Sequence, residues 1–238
     1  MKQRWLHIGG WASGLLLALS GCAKDYAPDH DDPSFDQEGL SKKTTMAIGT
    51  FRIMEDARTV RIDESTLAYV TNPDRVSDLA DGTRIFLEYA PVEKGFPDFC
   101  TEAVYVLWAS ALDEGSASLI CFEEQYNDPA DYHSDPIDIV QDWMTSVEDG
   151  FLTLHYQIPA SGDKKHAFKL YHSWLPGNIF YLVHDAQGDA GTELVEGIVY
   201  FRVGNLFPDE NGKKTLTLKY YNLENTLTTL TFDDRTSE

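Results

Sequence analysis

From Met46 onward the chain is a series of short β-branched and aromatic runs, each closed by turn residues, and this pattern limits the fold more than any other feature. The runs fall at 46–54, 57–62, 66–71, 83–93, 102–111 and 116–123 in the first half. Asp81-Gly82 introduces the long fourth run, and Asp113-Glu114-Gly115-Ser116 separates the last two. Helical periodicity is missing from these runs. Five or six strands in about 80 residues suit a small closed or partly open barrel.

Residues 127–136 (NDPADYHSDP) hold two Asp-Pro steps, which disfavour helix and strand alike and mark a boundary. Ile139, Trp143 and Val147 then recur at four-residue spacing, so 137–147 reads as a short helical or extended lead-in. Further runs at 151–158, 165–173, 179–184, 195–204, 214–221 and 226–232 are separated by turn chemistry such as Ser161-Gly162-Asp163 and Gln187-Gly188-Asp189. Leu152, Leu154, Tyr156 and Ile158 alternate with Thr153, His155 and Gln157, the pattern of a strand with one core face and one wet face. The expected architecture is all-β, with a barrel over 45–126, a lead-in over 127–149 and an antiparallel, immunoglobulin-like β-sandwich over 150–238.

The first residues serve a different purpose. Lys2 and Arg4 precede an apolar run from Ile8 to Leu19, and Leu19-Ser20-Gly21-Cys22 follows it. Small residues before a cysteine fit a lipoprotein signal peptide over 1–21, cleaved so that an acylated Cys22 becomes the first residue. The apolar run is too short to span a hydrocarbon core of about 30 Å as a retained helix. Residues 22–44 are acidic, contain Pro and Gly and lack apolar periodicity, so they read as a flexible tether. The expected location is the cell envelope, with a lipid anchor in the outer membrane and a periplasmic or surface-exposed body.

The formal charge of −20 grows by two when Lys2 and Arg4 are removed, and such a field repels phosphate backbones, so nucleic acid is not an expected partner. With Cys22 lipidated, Cys100 and Cys121 remain, and an oxidising compartment would permit their pairing. A hairpin at Glu114-Gly115 would place Trp108 opposite Cys121, which gives the bond no geometric support and leaves the pairing open.

His155, His166, His172 and His184, with Asp185 and Asp189, raise the question of a metal. His166 and His172 are six residues apart on one expected strand, roughly 20 Å, too far to share an ion, so these histidines read as surface or strand-end residues and no metal or cofactor is expected. A nucleophile elbow, an HExxH motif and a phosphate-binding glycine loop are all missing, so no catalytic residues are assigned. Tyr171 and Trp174 flank Pro176-Gly177 in an expected loop and are the candidate binding aromatics, with core capping as their alternative role.

Several segments together suggest a family. Asp135-Pro136-Ile137, Asp142-Trp143, Gly150 to His155, Lys165 to Leu170 and Val183 to Asp189 resemble the NigD-like lipoproteins of Gram-negative anaerobes. The family's usual turn has a basic residue and an amide where this chain has Val183 and Asp185. The resemblance implies an OB-like barrel followed by a β-sandwich and brings no catalytic residues with it. The function expected is a non-enzymatic envelope lipoprotein that binds a protein or glycan partner. The alternatives are a bacteriocin immunity factor that intercepts a cationic peptide, suggested by the charge and the family's operon context, and a metal-dependent hydrolase, which requires His155, His166 or His184 to meet carboxylates.

Overall fold

The computed structural model describes residues 44–120, 134–173, 177–209 and 211–235. Cys22, the tether, Cys121 and Trp174 lie outside the described residues. Strands β1 (Thr45–Met54), β2 (Ala57–Arg61), β3 (Leu67–Val70), β4 (Arg84–Pro91) and β5 (Glu102–Ala111) close into a barrel in the order β1-β2-β3-β5-β4. Only β3 and β5 pair in parallel within it, which gives the Greek-key connectivity of an OB barrel. Strand alternation sends Phe51, Val60, Ile85, Leu87, Val104 and Val106 inward to a common core.

The 116–123 run does not join the barrel. After β5 come β6 (Asp113–Glu114), which pairs in parallel with β13 (Glu193–Arg202), and β7 (Ser116–Ile120), which pairs in parallel with β11 (Ala167–Ser173). These partners belong to different sheets, so the chain crosses from one sheet to the other at Gly115. A Cβ there would sit 2.2 Å from the ring of Phe201, and only glycine lets the backbone pass this close. The expected hairpin at Glu114-Gly115 is therefore a crossing between sheets, and the barrel hands over to the sandwich about ten residues earlier than composition suggests. Cys100 is a buried free thiol.

The remaining strands are β8 (Asp138–Val140), β9 (Ser146–Glu148), β10 (Phe151–Ala160), β12 (Ile179–Asp185), β14 (Thr215–Tyr221) and β15 (Leu227–Asp233). One sheet runs β6-β13-β10-β8 with β9 also on β10, and the other runs β15-β14-β12-β11-β7. The lead-in is extended rather than helical, because β8 and β9 both find pairing sites along β10. Between the sheets lie Leu152, Leu154, Ile158, Leu170, Leu182, Val199, Phe201, Leu216 and Leu218. Most pairs are antiparallel, but β12 and β14 run parallel because β13 leaves for the opposite sheet between them.

The expected wet face of β10 is also covered. Phe151, Thr153 and His155 are buried, as are Ile198 and Tyr200 on β13. The barrel packs there: Ile48, Phe86 and Leu112 meet Met144, Phe151, Ile198 and Tyr200 in a shared apolar cluster. Arg202 donates to the Gly82 carbonyl across the seam at 3.1 Å, and its guanidinium lies 5.2 Å from the Phe151 ring centroid. Arg202 also holds Glu114, whose carboxyl is kept below the usual range mainly by the Tyr200 hydroxyl and then by Arg202. The shared seam cluster and these polar ties pack the two domains against each other.

Candidate functional site

His155 and His184 are buried, while His166 and His172 are partly buried and His166 stands immediately before β11. Ala167 faces Asp185 and Phe168 faces His184 across the β11–β12 pair, so His166 is the diagonal neighbour of His184 on one face. His166 Nδ1 and His184 Nε2 are 2.7 Å apart, with ring planes 15° apart and centroids separated by 5.0 Å, so the rings meet edge to edge. His184 Nδ1 lies 3.1 Å from the Pro136 carbonyl, which can only accept, so this nitrogen carries the proton. His166 Nε2 lies 3.2 Å from Asp189 Oδ2. Asp189 also accepts from the backbone N–H groups of Ser161 and Gly191, and these bonds, Ser161 foremost, hold its carboxyl far below the usual range.

Burial, together with the neighbouring His166, lowers the His184 pKa. All four ring nitrogens of the pair are engaged, leaving none with a free lone pair for an ion. The cluster instead clasps five pieces of chain: the 134–136 segment, the starts of β10–β11 and β12–β13 turns, β11 and β12. Asp135 reinforces it by accepting from the Ala186 N–H at 2.7 Å. Val183, where the family turn carries a basic residue, is buried in β12, and Asp185 caps the turn by accepting from the Gln187 N–H.

His155 has a different environment. Its Nδ1 lies 2.9 Å from Asp142 Oδ2, while its buried Nε2 has no hydrogen-bond partner and sits 3.6 Å from Glu196 Oε2. Histidines thus do meet carboxylates, as a hydrolase would require, but no group of three or more ligating side chains able to hold a metal occurs among the described residues. His172 stacks on Phe180 at 4.2 Å, away from the clasp. Tyr171 lies inside β11, half-buried and opposite Tyr181, so it is a strand residue and not the loop residue expected from its sequence. Aromatics that project into solvent among the described residues include Phe207, Phe96 and Trp143, the last 51% exposed beside Phe86 at the domain seam.

An open feature lies at that seam. A cleft of about 280 Å³ is lined by Arg61, Ile62, Asp63, Glu64, Arg84, Glu148, Asp149 and Arg235. Barrel register creates its floor: Thr50 on β1 faces Arg61 on one side and Arg84 on the other, so all three share the outer face. The two-residue Asp149-Gly150 turn, with φ of 51° and 77°, joins β9 to β10 and delivers Glu148 and Asp149 to the opposite wall. The Arg235 N–H donates to the Val147 carbonyl at 2.8 Å, which fixes Arg235 beside β9.

Arg84 is 1% exposed, donates to Thr50 and Thr153 and forms an ion pair with Glu148. Asp149 pairs with Arg52 at 3.4 Å. Asp63 accepts from the Ser65 N–H and hydroxyl; burial opposes these bonds, but together they hold its carboxyl below the usual range. No sequence motif announced this cleft, because its residues come from four separate segments.

Residues 119–233 match the family model for the NigD-like C-terminal beta sandwich domain. The second domain is a NigD-like β-sandwich. Solved structures share the fold of this chain at low identity. A proposed toxin-related protein from Parabacteroides distasonis is 14% identical, with a TM-score of 0.62 over 80% of this chain and 93% of that one. A Bacteroides vulgatus protein of unknown function is 18% identical, with a TM-score of 0.61 over 80% and 90%. A proposed lipoprotein from Bacteroides fragilis is 10% identical, with a TM-score of 0.53 over 82% and 100%. A search of curated proteins gives no significant match. No helix among the described residues is long and apolar enough to cross a membrane.

Proposed function

We propose that this NigD-like chain is a non-enzymatic binding protein of the cell envelope, held at the outer membrane by a lipid on Cys22 and carrying its ligand site where barrel meets sandwich. The observation that supports this most is a contrast. His166, His184 and Asp189 are bonded to one another in a structural clasp, while the cleft at the seam is open and lined by charged side chains from both domains. Domain junctions are favoured places for ligand sites, because two rigid bodies supply walls that neither has alone. The signal segment supports the anchor, and one fold neighbour is itself a proposed lipoprotein.

The test is affinity capture from native envelopes with the full chain and crosslinking, in parallel with a variant carrying Arg61→Ala and Arg235→Ala and a lipoprotein control. Enrichment of an envelope component by the wild type, lost in the variant, supports the reading. Equal enrichment by both proteins places binding elsewhere. A Cys22→Ser chain that still fractionates with membranes would remove the anchor from the proposal.

A further inference from the structure

Resting on that reading, we infer that the seam cleft is a receptor for a free carboxylate, the carboxy terminus of a neutral or cationic peptide, captured between Arg61 and Arg235 over the buried guanidinium of Arg84.

Donor counting comes first. A guanidinium offers five N–H groups. Arg84 spends three: Nε on Thr153, one Nη on Thr50 and the other on Glu148. The other two N–H groups of this side chain, which is 1% exposed and lines the cleft, make no further hydrogen bond among the described residues. A buried donor without a partner is costly, and an acceptor seated in the cleft would satisfy both. Arg61 and Arg235 line the same cleft, and neither guanidinium has a hydrogen bond or ion pair among the described residues. Three arginines around one space, two of them unpaired, form a planar-fork arrangement suited to an oxyanion.

Charge then selects among oxyanions. Glu148 and Asp149 are committed to Arg84 and Arg52, but Asp63 and Glu64 stand at the cleft, and the whole chain carries −20. A phosphate dianion or an acidic polysaccharide would bring further negative charge into that field. A single terminal carboxylate brings one charge, which the arginines neutralise. Asp63 and Glu64 then accept from the amide N–H groups or basic side chains of the residues before it. Capture of a chain terminus in this way is a known mode of peptide recognition.

The experiment uses the full chain in detergent and a randomised hexapeptide mixture, acetylated at the amino end and prepared in two forms, free acid and carboxamide. Bound peptides are read by mass spectrometry. Free acids should be retained over amides by about tenfold or more, the value of one charge-assisted pair. That preference should vanish in the Arg61→Ala, Arg235→Ala variant and return in part with Arg61→Lys, Arg235→Lys. Glucuronic acid and inorganic phosphate, added as competitors, distinguish other oxyanion sources, and competition by either that exceeds competition by free-acid peptide overturns the peptide assignment. Equal retention of acids and amides overturns the carboxylate inference while leaving a binding cleft. Retention of neither form, with cleft-dependent envelope capture intact, overturns it as well and keeps the wider function. An unchanged melting profile shows that the variants are folded.

Discussion

Replacing Arg84 with methionine tests whether the two domains are held as one body by the polar seam. Arg84 is 1% exposed and meets Thr50 and Thr153, both fully buried, while its Glu148 partner keeps 14% of its side chain in solvent. Removing one member of a buried pair leaves the other uncompensated, a loss of about 3–5 kcal/mol in dry interiors. The residual hydration of Glu148 reduces this, and the two threonine hydroxyls add about 1 kcal/mol each where they find no new partner. The expected loss is about 3 kcal/mol. Glu148→Gln keeps an acceptor and should cost about 1–2 kcal/mol. Because the double variant removes both charges, it should be more stable than the sum of the singles by about 1–2 kcal/mol.

Urea unfolding followed by tryptophan fluorescence and by far-ultraviolet circular dichroism is the assay. Trp108 and Trp143 both flank Phe86 at the seam, so in a Trp174→Phe background their fluorescence reports the junction while dichroism reports all strands. Coincident curves are expected for that background alone, and a fluorescence transition that precedes the dichroism transition for Arg84→Met. A loss below about 1 kcal/mol, or additive singles, would refute the claim that this pair joins the domains.

Other consequences are directly measurable. Gly115→Ala drives a methyl into the Phe201 ring and should cost about 1–3 kcal/mol by urea midpoint; a neutral result would mean that the crossing can shift. Leu154→Ala empties a fully buried site between the sheets and should cost about 2–5 kcal/mol in the same assay. His172 has a lowered pKa through burial, so its unfolded form takes up a proton first and its contribution to stability falls as pH drops through about 6.5; His172→Asn should flatten that slope. Asp189 is depressed in the folded protein, so its contribution is present above about 3.8 and fades as pH falls further, and Asp189→Asn should remove that acid limb. Burial raises the Cys100 thiol pKa, so it should react with a thiol reagent only after unfolding, and rapid native labelling would contradict its placement.

Local chemistry determined the strands. β-Branched runs bounded by Asp-Gly, Ser-Gly and Asn-Gly steps gave twelve extended segments whose limits differ little from the observed ones, because such residues disfavour helix and such turns reverse the chain. The NigD-like resemblance was legible for the same reason: its motif residues form turns and the clasp around His184. Tertiary contact decided the rest. Nothing near Gly115 in sequence reveals that its neighbours pair with strands more than 50 residues away, in different sheets. Alternation marked Thr153 and His155 as solvent-facing, since a lone sheet leaves that face wet, and the barrel covers it. Arg61 and Arg84 look like ordinary exposed barrel residues until strand register sets them on either side of Thr50 and the sandwich encloses them. Periodicity specifies which residues share a face of one strand, and only the packed chain specifies what that face meets.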